Sequence, residues 1–307
     1  VRPLVSIIAL CHNHAPFLRN ALNSILAQDY PYLEVWLVDD ASQDESPQIL
    51  REYALAHPTW QLLLLPENVG NCRAFNLAFF QSQGEFVVDF ATDDELLPQR
   101  LSQQVALFEQ LPASYGVVYS NCELLSEQGQ FLQLHQRADP RRLGQRLPLP
   151  ASGWVFADVL SRYFISAPTM LMRRATLAAL GGYDEALSYE DFDFWVRASR
   201  DWQFYYQDEV TTRKRLHPKS KSAQVTRRYD PYLASTIAVC RKALDLCRNE
   251  PEREALRIRL RYELRNALAR RYLASARELA ALLNLTTPRR WLDRLLSLLR
   301  LPTQPRT

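Results

Sequence analysis

The run Val5-Ser6-Ile7-Ile8-Ala9-Leu10 breaks into Cys11-His12-Asn13-His14, and the run Glu34-Val35-Trp36-Leu37-Val38 breaks into Asp39-Asp40-Ala41-Ser42. Between them, from Ala15 to Ala27, Phe17, Leu18, Ala21, Leu22, Ile25 and Leu26 fall on one helical stripe. The alternation continues outward. Further apolar runs cover Gln61 to Leu65, Glu85 to Phe90 and Gly116 to Ser120, and further helical stripes cover Glu45 to Ala56, Arg73 to Phe80 and Leu101 to Leu111. Short runs without polar alternation read as strands covered on both faces, so the pattern predicts an α/β fold with a mainly parallel sheet and helices on either side.

In such a sheet ligands gather beyond the carboxyl ends of the strands. All four of the first strand ends carry hydrogen-bonding or ionisable groups: Cys11 to His14, Asp39 to Ser42, Glu67-Asn68 with Gly70, and Thr92-Asp93-Asp94. The pairs Asp39-Asp40 and Asp93-Asp94 would bring up to four carboxylates together, and their repulsion would raise their pKa values unless a cation sat among them. A hard divalent ion such as Mg²⁺ or Mn²⁺ is one resolution. Helix capping by Asp44 or Asp94 is the other, and the residues alone leave both open.

Composition removes several classes. The chain has 307 residues, of which 47% are hydrophobic and 23% charged, enough for a sizeable core and unlike a disordered chain. No apolar stretch is long enough to span a bilayer, and the N-terminus lacks the features of a secretory signal. Five scattered cysteines without CxxC spacing fit a reducing compartment better than a disulfide framework or a zinc ribbon. Neither a GxGxxG nor a GxxxxGK[ST] stretch is present. A cytoplasmic location follows as the expectation, with no nucleic acid as partner. A chain that opens on Val1 is also expected to be a fragment or a processed product.

The quoted elements, taken in order, resemble the family 2 glycosyltransferases of GT-A fold. The resemblance runs from Val5-Ser6-Ile7-Ile8 to Asn13, through Ser24 to Pro31, Val38-Asp39-Asp40-Ala41-Ser42, Glu67-Asn68-Val69-Gly70 and Gly84-Glu85-Phe86. It continues through Thr92-Asp93-Asp94 with Leu97-Pro98, then Glu190-Asp191, then Arg215-Leu216-His217. It covers about residues 4 to 222 and implies a Rossmann-like catalytic domain over 1–225, with a nucleotide-binding half to about 122 and an acceptor half over 123–225.

The family implies transfer of a sugar from a nucleotide-sugar donor, UDP-sugar first and dTDP-sugar next, to a hydroxyl of a glycan or lipid-linked saccharide, by inversion and with Mn²⁺ or Mg²⁺. Where the family usually has Asp-x-Asp, this chain has Ala91-Thr92-Asp93. The Thr-Asp-Asp form is similar to that of the spore-coat polysaccharide branch. Carried over, Asp94 is the metal ligand, Asp93 a ribose or metal-shell contact, His217 a metal contact, and Arg215 a diphosphate contact. Leu10, Cys11, His12, Asn13, Asp40, Asn68 and Arg73 then bind the donor, with His12 where the family has an aromatic near the base.

Asp191 is the expected general base, since the acceptor hydroxyl loses its proton as it attacks. His14, His57 and His135 read as incidental. Two other readings stand beside this one: a degenerate GT-A domain acting as a binding or scaffolding subunit, and a nucleotidyltransferase, which normally needs a basic Gly-rich loop that Ala9 to Phe17 does not offer.

From 148 to 165 the pattern is irregular, and Arg174 to Leu180 is a helix stopped by Gly181-Gly182. Residues 226–307 read as helices. From Pro231 onward sixteen Lys/Arg face seven Asp/Glu, and the last stripe, Trp291 to Leu299, is flanked by arginines. Such a tail suits packing on the catalytic domain, homo-oligomer contact, or peripheral contact with the cytoplasmic face of a membrane.

Overall fold

The structure is a computed structural model that describes residues 2–136, 149–218, 220, 230 and 232–286. The first half runs β1 (Val5–Cys11), α1 (Ala15–Leu26), β2 (Leu33–Asp39), α2 (Ser46–Ala56), β3 (Gln61–Leu64), α3 (Asn71–Phe79) and β4 (Phe86–Ala91). These are the strands and helices read from the sequence, to within two residues at most ends. Asp44 lies one residue before the N-cap of α2, which is Glu45; its carboxylate takes the backbone N–H of Ser46 at 2.9 Å and of Ala15 at 3.0 Å, so one side chain ties the starts of α2 and α1 together.

After β4 come β5 (Glu95–Leu96), α4 (Arg100–Gln110), β6 (Tyr115–Leu125), β7 (Phe131–Leu134) and α5 (Phe156–Ser161). Then follow β8 (Leu171–Arg173), α6 (Arg174–Ala179), α7 (Asp191–Ala198) and β9 (Gln203–Arg215). The strand order is β3-β2-β1-β4-β8-β6-β9-β5, with β7 on the side of β6.

The sheet is mixed rather than mainly parallel. Strands β1 to β4 pair in parallel, and so do β6 and β9, but β8 is antiparallel to both its neighbours and β5 is antiparallel to β9. The reason is chain economy. The short β8 fills the gap between β4 and β6 and turns directly into α6, with no crossover helix of its own. The irregular stretch near 148–165 contains one short helix, α5, whose Phe156, Val159 and Leu160 are buried.

Helix α6 ends at Gly181 and Gly182, at φ +72° and +81°. The Gly182 N–H returns to the Leu177 carbonyl at 2.9 Å, a left-handed stop that a side chain would strain. A Cβ on Gly182 would also lie 2.5 Å from Asn76 Oδ1, which is occupied by the Tyr183 N–H.

Two apolar cores lie on opposite faces of the sheet. One joins Val5, Ile7 and Ala9 to α1, α2 and α4. The other joins Ile8 and Leu10 to α3, α5 and α7, and continues into α8 (Leu233–Leu246), α9 (Glu250–Ala269) and α10 (Leu273–Thr286). Ile237, Val239, Leu256, Leu260 and Leu279 are all buried there. At roughly 1.5–3 kcal/mol per buried side chain, this packing accounts for the apolar stripes of α8 to α10. The stripe from Trp291 to Leu299 lies outside the described residues. Among the described residues no helix is long and apolar enough to cross a membrane.

An ion-pair cluster ties α8 to α7. The Asp193 carboxylate, 1% exposed, accepts from Arg197 Nε and Lys242 Nζ, each at 2.6 Å. Arg197 also donates to the carbonyls of Leu180 and Gly182. The start of α7, which carries Asp191, is thereby fixed from two sides.

Candidate active site

The carboxyl ends of β1, β2 and β4 open into a cleft of about 800 Å³. Leu10, Cys11, His12, Asp40, Asn68, Asp93, Asp94, Asp191 and Arg215 all line it, so most of the residues singled out from the sequence converge.

At one end, Asp40 is buried and both its oxygens are engaged: Oδ1 accepts the Val69 N–H at 2.7 Å and Oδ2 the Gly70 N–H at 3.0 Å. Gly70 adopts φ +84°, which a side chain would resist. His12 Nδ1 contacts the Asp40 carbonyl at 2.7 Å. A carbonyl only accepts, so Nδ1 carries the proton, and Nε2 accepts from the amides of Asn13 at 3.0 Å and Asn68 at 3.3 Å. Asn13, at φ +59°, takes the Gln43 N–H on its Oδ1 and lends its own N–H to Ser42 Oγ, locking the loops after β1 and β2 together.

Asp39 does not join a four-carboxylate group. It is absent from the cleft wall, and its Oδ2 holds the Ser42 N–H at 2.9 Å.

The Asp93–Asp94 turn is bound to the end of β9. Glu95 and Leu96 pair with Arg213 and Thr212, and Asp94 Oδ1 accepts the Arg215 N–H at 2.9 Å. Arg215 is itself buried, and its guanidinium donates to Asp93 O, Glu95 Oε1 and Glu127 O, so it braces the turn from behind. His217 is not on the cleft wall. Its Nε2 meets Asp93 Oδ2 at 3.1 Å, while its ring packs 4.9 Å from Phe17. Arg73 is also off the wall, half exposed and 3.9 Å from Glu185.

His14, read from the sequence as incidental, and Asp89, which the sequence reading did not single out, both line the cleft. His14 Nδ1 meets Thr92 Oγ1 at 3.0 Å, and burial lowers its pKa, partly opposed by the nearby Asp93. Asp89 sits mid-strand in Phe86-Val87-Val88-Asp89-Phe90. A lone acid in an otherwise apolar strand was the available signal.

A divalent cation fits the Asp93–Asp94 turn. Asp94 is 5% exposed, and burial, followed by the adjacent Asp93, pushes its carboxyl well above the ordinary range. Asp93 Oδ1 is buried with no hydrogen-bond partner among the described residues. Surplus negative charge beside an unsatisfied oxygen is what a bound cation would relieve. No group of three or more His, Cys, Asp or Glu side chains stands ready to hold a metal among the described residues. The protein's share of such a site is therefore one or two carboxylates, and ligand oxygens and water would have to complete it.

Across the cleft, Asp191 opens α7. Glu190 beside it accepts from Asn71 Nδ2 at 2.6 Å, which ties this wall to the start of α3. The far wall comes from the tail: Tyr232, Leu233 and Thr236 around α8, and Tyr262, Glu263, Asn266 and Arg270 along α9. Nothing in the sequence reading brought these residues to the cleft, because only the packing of α9 against α5 does so.

The profile of glycosyl transferase family 2 matches residues 6–158, about half of the chain. A Rickettsia prowazekii (strain Madrid E) protein named uncharacterized glycosyltransferase RP339 is 29% identical over 216 residues, covering 70% of this chain and 64% of RP339. Among solved structures, S. aureus TarS 1-349 in complex with UDP superposes with a TM-score of 0.61 at 20% identity, over 84% of this chain and 70% of that one. The Pyrobaculum calidifontis mannosyltransferase PcManGT, in complex with GDP-Man and Mn²⁺, gives 0.60 at 21% identity, over 92% of this chain and 81% of that one. These structural likenesses speak to the fold, which is GT-A with a helical C-terminal region. The sheet order, the acid-lined cleft at its carboxyl edge and the matched profile converge: the chain belongs to glycosyl transferase family 2.

Proposed function

We propose that the protein is an inverting, metal-dependent glycosyltransferase that takes a sugar from UDP, or next from dTDP, and delivers it to a hydroxyl of a glycan or lipid-linked saccharide. The observation that carries this reading is the convergence in one cleft of Asp40 with His12, the Asp93–Asp94 turn, and Asp191.

We read the base end as a pyrimidine site. Each Asp40 oxygen holds one backbone N–H and keeps a lone pair, so the carboxylate can accept from a base while its anchorage to the Val69–Gly70 turn stays intact. Uracil or thymine brings a single N3–H, which needs one remaining lone pair. His12 is exposed beside it, and its ring face is available for stacking.

Asp94 and Asp93 are the residues that would hold the divalent ion, which when bound supplies Lewis-acid stabilisation of the departing diphosphate. Arg215 keeps the turn in position by holding the Asp93 carbonyl and Glu95. Asp191 accepts the acceptor's proton as the new bond forms, and the pinning of α7 by Arg197 and Lys242 keeps that carboxylate from drifting.

A thermal-shift series with UDP, dTDP, GDP and ADP, with and without Mn²⁺, tests the donor reading. UDP or dTDP with Mn²⁺ should stabilise most. Equal stabilisation by GDP would overturn the base assignment, and no stabilisation by any nucleotide would overturn the enzyme reading.

A further inference from the structure

Two tyrosines on the tail side of the cleft are unusually exposed for their position. Tyr163 is 48% exposed and Tyr262, on α9, is 49% exposed, yet both line the cleft. They share one support. The Arg259 guanidinium lies 3.9 Å from the Tyr163 ring centre and 6.0 Å from that of Tyr262. Arg259 is itself 2% exposed, donates from Nε to the Leu160 carbonyl at 3.0 Å, and pairs with Glu263 at 3.3 Å. A buried cation fixed at both ends thus lies against both rings; Tyr163 also packs edge-on with Phe192 and Trp195, at 5.3 and 6.1 Å, and each tyrosine keeps about half of its surface open to the cleft.

Beneath the rings lies the buried Arg259, but the ionisable side chains that line the cleft beside them are mostly acidic. Glu190, Asp191, Asp230 and Glu263 line the same region. The one tail cation on this wall among the described residues, Arg270, has Asp230 at 3.6 Å. Lys214 and Arg215 belong to the opposite end, next to Asp94. An acidic ligand would meet carboxylates here, whereas sugar hydroxyls would find acceptors in Glu263 and in the Asn266 side chain.

We infer that the tail builds an acceptor subsite, in which a neutral sugar ring of the acceptor lies against Tyr163 and Tyr262 and directs hydroxyls to Glu263 and Asn266. The aromatic faces cover the apolar C–H surface of the ring, and the carboxylates discriminate against uronate or phosphate-bearing residues. This inference rests on the glycosyltransferase reading for its name as an acceptor site, but the binding surface itself is independent of the donor.

The test is ligand-observed NMR titration of the full chain with methyl β-glucoside, methyl β-galactoside, methyl N-acetyl-β-glucosaminide and methyl β-glucuronide, with UDP affinity in Mn²⁺ measured in parallel. At least one neutral glycoside should bind, and the glucuronide should bind about ten-fold more weakly or worse. Tyr262→Ala and Tyr163→Ala should each weaken the neutral glycoside about ten-fold, the scale of losing one covered ring. Tyr262→Phe, which keeps the ring face and loses only the hydroxyl, should bind as the parent does, and the melting temperatures of the alanine variants separate a lost contact from a lost fold. Both alanine positions are half exposed, so either variant can carry the result if the other fails to fold. The inference is overturned if no neutral glycoside binds the parent, if both alanine variants bind as the parent does, or if the glucuronide binds equally well. Absence of UDP binding alongside intact, Tyr262-dependent glycoside binding would sink the donor reading and leave the tail platform standing.

Discussion

Replacing Asp94 by Asn separates the carboxylate's role in metal binding from its burden on the fold. In the parent, burial and the neighbouring Asp93 both oppose ionisation of Asp94. Asparagine removes that burden, and its amide oxygen can still accept the Arg215 N–H now found at 2.9 Å. The ligand-free variant should therefore melt no lower than the parent. The response to ligand should change completely. A ligand present at one hundred times its dissociation constant adds about 2.7 kcal/mol of apparent stability. With an unfolding entropy of about 2.1 cal/mol/K per residue, a chain of 307 residues loses roughly 0.6 kcal/mol per degree near its midpoint, so the parent should gain about 4 °C with UDP and Mn²⁺. In Asp94→Asn that gain should fall below about 1 °C, and transfer should be abolished. Differential scanning fluorimetry with UDP, Mn²⁺, both, and both plus EDTA reads every term. A variant that kept the full ligand-induced shift would refute the metal assignment. A variant that melted well below the parent without ligand would refute the argument that this carboxylate is held at a cost.

Other outcomes follow from the same geometry. Asp191→Asn should leave UDP affinity nearly intact and lower turnover by about 10² to 10⁴, the range of a lost general base; a large loss of UDP affinity with normal turnover would contradict that role. Glu263 gives a pH dependence. Burial, partly offset by Arg259, raises its folded-state pKa above the unfolded value, so its contribution to stability is present at low pH and lost as pH rises through the folded value. Urea midpoints of parent and Glu263→Gln, compared from pH 4.5 upward, should therefore shift in the variant's favour as pH rises. Lys242→Met removes one of two cations from a carboxylate that is 1% exposed and should cost about 1–3 kcal/mol, less than a fully broken buried pair because Arg197 remains; an unchanged urea midpoint would contradict it. Gly182→Ala should cost about 1–3 kcal/mol from its φ of +81° and its approach to Asn76, read the same way.

Of the first four strands, β1, β2 and β4 were legible because their apolar runs are largely buried, and β3, an edge strand with no buried residue, because of its unbroken leucine run; each ends in polar residues that have nowhere to go but the sheet's carboxyl edge. Strand β9 was not legible. Gln207-Asp208-Glu209 and Arg213-Lys214-Arg215 look like loop in a linear reading, and the strand exists because it pairs with β6 across three local register shifts. That pairing brings Arg215 to Asp94; family likeness implied a diphosphate contact for Arg215, and its bracing of the turn shows only in the fold. Asp89 was hidden by its apolar neighbours, and His14 by its placement among three other polar residues. The tail's helices could be read from their stripes. That α9 forms a wall of the cleft could not, because the contact depends on how Leu256 and Leu260 seat in a core shared with α5 and α7.

Gly70 and Asn71 are consecutive residues, and they reach opposite sides of the cleft: the Gly70 N–H grips Asp40, and the Asn71 side chain grips Glu190, next to Asp191. The span between Asp40 and the start of α7 at Asp191 is thus gauged by a single peptide unit, with almost no slack. An inserted residue between Asn68 and Asn71 would leave both anchorages chemically intact and yet put them out of step. Drift in this loop's length is therefore the kind of change the molecule can least absorb, whereas exchange of side chains along its outer surface leaves the gauge untouched.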